Sequence, residues 1–91
     1  MNAANCDSIR YLGIIDAAER KWPVAVARFN AAATCYTGAI AALESELAEK
    51  QADTSGLFAG QIPGLVAEIA EAKSLLEAST HNAEVAAGNA R

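Results

Sequence analysis

The side chains best suited to chemistry are few and scattered. The single histidine, His81, has Glu84 three residues later, on the same face if the segment is helical. Such a pair supplies half of a metal site. A zinc site takes three or four His, Cys, Asp or Glu ligands, and no second histidine or cysteine cluster stands nearby to complete one. His81 therefore reads as a surface residue near a helix end. Cys35 has no base close to it in sequence, and a thiol inside a helix usually behaves as a small hydrophobe. Gly56, Gly60 and Gly64 are spaced as turn residues and match no phosphate-cradling loop or nucleophile elbow. Glu44, Glu46 and Glu49 sit at the spacing of a solvated helix surface. The sequence accordingly assigns no catalytic, cofactor-binding or metal-ligating residue and predicts a protein that is not an enzyme.

The elements that would position any site are helical. The 91 residues are 53% apolar, but 23 of them are alanine, which leaves 25 larger apolar side chains. Alanine favours helix more than any other residue while burying little area, so helices should form easily around a thin core. A chain of this length is expected to make one domain, residues 1–91, and a thin-cored domain gains stability by associating. The net charge of −4 argues against nucleic acid, which needs a basic stripe. Residues 1–28 carry +1 and residues 29–91 carry −5. The acidic part reads as solvated helix surface, or as a face for a basic partner.

Helical periodicity appears three times and strand alternation not at all. The first segment, about residues 7–22, puts Tyr11, Ile14, Ile15, Ala18 and Trp22 on one stripe with Leu12 at its edge, Asp7 being the expected N-cap. Pro23 should end it and open the next helix. The second, about 23–52, carries Val26, Phe29, Ala33, Tyr36, Ile40, Leu43, Leu47 and Lys50 at alternating spacings of three and four, an unbroken coiled-coil seam. Ala25, Ala32 and Ala39 flank it and permit close approach. The stretch 53–64 is a turn with Leu57 and Phe58 at its tip. The third helix, about 63–87, aligns Leu65, Ile69, Ala72, Leu76, Ser79, Ala83 and Ala86, with Val66 and Leu75 widening the stripe.

These segments predict an all-α fold: an antiparallel hairpin of the second and third helices, with the shorter first helix completing a small three-helix bundle at one end. If the hairpin folds about residues 57 and 58, Tyr36 faces Ser79 and Phe29 faces Ala86, which leaves room for the first helix beside the rings. The opposite end, with only two helices, is expected to carry the interface through Leu43, Leu47, Leu57, Phe58, Leu65, Val66 and Ile69. Leu57 and Phe58 should fold back onto the hairpin or meet a partner.

The function expected is that of a structural or assembly subunit, contacting copies of itself or a larger complex such as a virus-like particle. The other class considered is a small acidic inhibitor or adaptor occupying a basic site on another protein. No cofactor, nucleic acid or membrane partner is expected. Residues 24–43 contain Arg28, Asn30, Thr34 and Thr37 and owe most of their apolarity to alanine, unlike a spanning helix. The first residues have neither the basic start nor the apolar run of a signal peptide. The expected location is the cytoplasm, or a particle assembled there. The chain does not resemble the small secreted helical hairpins built on a Trp-x-Gly turn, because Pro23 follows Trp22 and the main turn holds no tryptophan.

Two cysteines are too few for a secreted disulfide scaffold. They do test topology. A hairpin folded at Trp22-Pro23 sets residue 6 opposite residue 37, which brings Cys6 beside Cys35, bonded or reduced. A kinked continuous rod would hold them about 40 Å apart.

Overall fold

The computed structural model describes residues 3–91. Its elements are α1 (Ala3–Ala18), α2 (Trp22–Ala52), a single 3₁₀ turn over Ala59–Gln61, and α3 (Ile62–Asn89). The described residues contain no strand. α2 and α3 pack along each other as an antiparallel pair, and α1 lies against α2, making a slender bundle of 55 × 17 × 16 Å.

The corner between α1 and α2 is made by three residues. The Lys21 amide donates to the Asp16 carbonyl and the Arg20 amide to the Ala17 carbonyl. This double closure of a helix C-terminus requires a left-handed residue just past the end, usually glycine. Here Arg20 takes that role at φ 61°, at a cost glycine would not incur. The first helix thus stops at Ala18, before Trp22-Pro23 is reached. Lys21 is the N-cap of α2, its carbonyl accepting from the Ala25 amide. Pro23 falls within the first two positions of α2, where its missing amide is no loss. At the other end of α2 the Asp53 carboxylate accepts the Ser55 amide, and the Ser55 hydroxyl accepts the Leu57 amide. Gly56 follows Ser55 at φ 81°, and its left-handed backbone turns the chain toward α3.

The hairpin register is the expected one. Phe29 is buried with Ala83 and Ala86, a ring against two methyl groups. Lys73 reaches across from α3 to Glu44 of α2 at 3.9 Å. Residues 29 and 86, and residues 44 and 73, both centre the fold close to residue 58. The α3 seam is equally regular, with Leu65, Ile69, Ala72, Ser79, Ala83 and Ala86 all buried. On α2 the alanines at seven-residue spacing, Ala25, Ala32 and Ala39, are the deepest line together with Tyr36 and Phe29.

α1 departs from its expected orientation. Asp7 lies inside the helix rather than at its start. The stripe of Tyr11, Ile14, Ile15 and Ala18 points to solvent, and so does Leu12. The inward line is instead Cys6, Ile9, Gly13 and Ala17. The reason is steric. At Gly13 a β-carbon would sit 3.0 Å from the Phe29 ring and 3.2 Å from the Arg28 β-carbon. At this level only a residue without a side chain lets α1 come this close, so Gly13 faces the Phe29 ring.

Candidate functional site

Two features stand out on the finished fold: a fastening that fixes α1 to α2, and the apolar face which that fastening turns outward. Cys6 and Cys35 form a disulfide with α-carbons 5.4 Å apart. That distance lies within the reach of a disulfide and excludes the kinked-rod arrangement. Both cysteines are buried, in a cluster with Ala32, Tyr36 and Ala39 against which Ile9, Leu75 and Leu76 pack.

At the residues that follow the two cysteines, the Tyr36 hydroxyl donates to the Asp7 carboxylate and accepts from Arg10 Nε at 3.3 Å. The Arg10 guanidinium also lies 4.6 Å over the Tyr11 ring. Sequence reading missed this trio because it placed Asp7 at a cap. The signal available was the spacing of Asp7 and Arg10, three residues apart on the cysteine side of α1. The trio is a contact that orients α1 against α2.

Burial pushes the Tyr36 hydroxyl above the ordinary tyrosine value, the bond to Asp7 adding to the rise. The fold therefore favours the protonated phenol. This stabilisation is complete below the ordinary value of about 10 and is lost as pH rises through the higher folded value. Alkaline titration followed by circular dichroism should show helix loss in that range, and Tyr36→Phe should flatten the dependence. A Tyr36→Phe profile identical to the parent would contradict this role.

The outward face of α1 carries Tyr11 at 57% exposure and Ile15 at 53%, with Leu12 and Ile14 beside them. Near the end of the same helix a groove of about 200 Å³ opens between all three helices, lined by Ile14, Ala17, Trp22, Phe29, Val85 and Asn82. Val24 and Val85 are exposed around it. Arg28 pairs with Asp16 at 3.8 Å, and Lys21 with Glu19 at 2.9 Å. The second of these is fully at the surface and contributes little.

The residues singled out at the hairpin tip divide. Leu65 and Ile69 are buried in the hairpin itself, and Leu43 and Leu47 are half-buried. Phe58 folds back, half-buried, with Lys50 Nζ 4.8 Å from its ring centre. Leu57 stands out at 79% exposure, and Val66 is exposed near the start of α3. Exposed apolar side chains thus occur in two places, at the hairpin tip and on the face of α1.

His81 and Glu84 are both exposed. Among the described residues no group of three or more His, Cys, Asp or Glu side chains could hold a metal ion. No helix there is long and apolar enough to cross a membrane.

The chain matches no family model, no characterised protein and no solved structure. The functional reading therefore rests on its own surfaces.

Proposed function

We infer that the chain is a non-enzymatic helical subunit that associates with copies of itself through the outer face of α1. The supporting observation is the set of four large apolar side chains, Tyr11, Leu12, Ile14 and Ile15, exposed on a helix whose opposite line, Cys6, Ile9, Gly13 and Ala17, packs inward. Exposed apolar patches larger than a few hundred Å² mark association sites on soluble proteins. Leu57 and Val66 at the hairpin tip would form a second contact. One contact at each end of a 55 Å rod suits repeated packing in a larger assembly, such as a virus-like particle. The Cys6–Cys35 bond favours an oxidising setting. The working form is then the assembled particle after its release rather than a free cytoplasmic chain.

Ile15→Asp tests this reading. The side chain already faces water, so folding stability should change by no more than about 0.5 kcal/mol. Association measured by light scattering on a sizing column should be lost. Val66→Asp should weaken it less. An Ile15→Asp chain that assembles like the parent would refute the α1 face.

A further inference from the structure

The geometry points to exchange of α1 between two copies, so that Cys6 of one chain bonds Cys35 of the other. This deepens the self-association reading and rests on it.

Three observations converge on the exchange. The hinge is only Glu19, Arg20 and Lys21, and its central residue holds a left-handed backbone that suits glycine and strains arginine. Short strained hinges invite domain swapping. Opening the corner releases that conformation, and Pro23, with no amide hydrogen to donate, leaves the opened hinge kinked instead of straight. The contacts that hold α1 are also transferable: the disulfide, the Tyr36 hydroxyl on Asp7 and Arg10, the Phe29 ring on Gly13, and Asp16 with Arg28. All join α1 to α2, and each can be remade with a second copy's α2, because swapping reproduces the native interface. Finally, the groove of Ile14, Ala17, Trp22 and Val85 lies beside the hinge, where the two chains of a swapped pair meet. A second copy therefore covers apolar surface that the closed monomer leaves in water.

Each covalent link forms by thiol–disulfide exchange. The two thiols give two electrons and two protons to a small-molecule disulfide, which departs as two thiols.

The test mixes two full-length chains, Cys6→Ala and Cys35→Ala, refolded together from the reduced state with oxidised glutathione at high protein concentration. Each chain keeps one thiol, so random pairing gives twice as much mixed dimer as either homodimer. Exchange predicts the mixed dimer at roughly tenfold over either homodimer on a non-reducing gel, because only Cys6 and Cys35 are brought within bonding distance. Mixed dimer at the random ratio would overturn the proposal. If the single-cysteine chains do not fold, the parent and Arg20→Gly chains decide the matter. Relieving the hinge should lower the fraction of parent-type covalent dimer roughly tenfold. An unchanged fraction, or no covalent dimer in the parent at any concentration, overturns it. Assembly that persists beside a random pairing ratio removes the exchange and keeps the α1-face reading. A parent chain that stays monomeric removes that reading as well.

Discussion

Phe29→Ala is expected to lower stability by about 3–5 kcal/mol, the range for emptying a buried ring site. Phe29 meets all three helices at one level: Gly13 of α1 touches its ring, and Ala83 and Ala86 of α3 pack on it from the other side. None of those neighbours is large enough to fill the space, so the cavity collapses poorly. Tyr11→Ala removes a ring too, but one that is mostly exposed, and should cost no more than about 0.5 kcal/mol. Denaturant unfolding of the two variants separates the observed orientation of α1 from the opposite one, in which Tyr11 would be the core residue. Similar losses at both positions would contradict the packing described here.

Replacing the disulfide by Cys6→Ala together with Cys35→Ala should cost roughly 3–4 kcal/mol, from the loop-closure entropy of a link spanning 29 residues. The loss should be uneven along the chain. Beyond the disulfide α1 is held by few large side chains, because Cys6 is the fully buried side chain of its inner face, Ile9 is only partly buried there, and Tyr11, Leu12, Ile14 and Ile15 are exposed. Hydrogen exchange should therefore speed up across residues 3–18 far more than across α2 and α3. Uniform protection in the double variant would mean that the Tyr36 trio and the Gly13 contact are enough to dock α1.

The hairpin was legible in the sequence because its pattern is redundant. The spacing of Phe29, Tyr36 and Ile40 on α2, and that of Leu65, Ile69 and Ala72 on α3, each fix a buried face, and the turn composition fixes the register between them. The contact of Cys6 with Cys35 followed from helical rise only on the condition that the chain folds back near Trp22-Pro23 instead of continuing as a kinked rod. α1 was misread because a periodic stripe shows which residues share a face, but not whether that face is covered. Cys6, Ile9, Gly13 and Ala17 have helical spacing as well, and the larger side chains of the other stripe drew attention away from them. Cys6 held the deciding information, since a helix bonded at residue 6 must turn that side inward. The left-handed Arg20 left no trace in sequence, because the position normally takes glycine. At the hairpin tip Leu65 and Ile69 are buried and Leu57 and Val66 exposed, while the face of α1 expected to turn inward exposes Tyr11, Leu12, Ile14 and Ile15.

Self-association through exposed helix faces is tested most directly by sedimentation equilibrium of the oxidised parent chain. The weight-average mass should rise above the 9.4 kDa of one chain as concentration increases. A mass that stays at 9.4 kDa up to about 1 mM, where even a millimolar dissociation constant would show, would contradict the account.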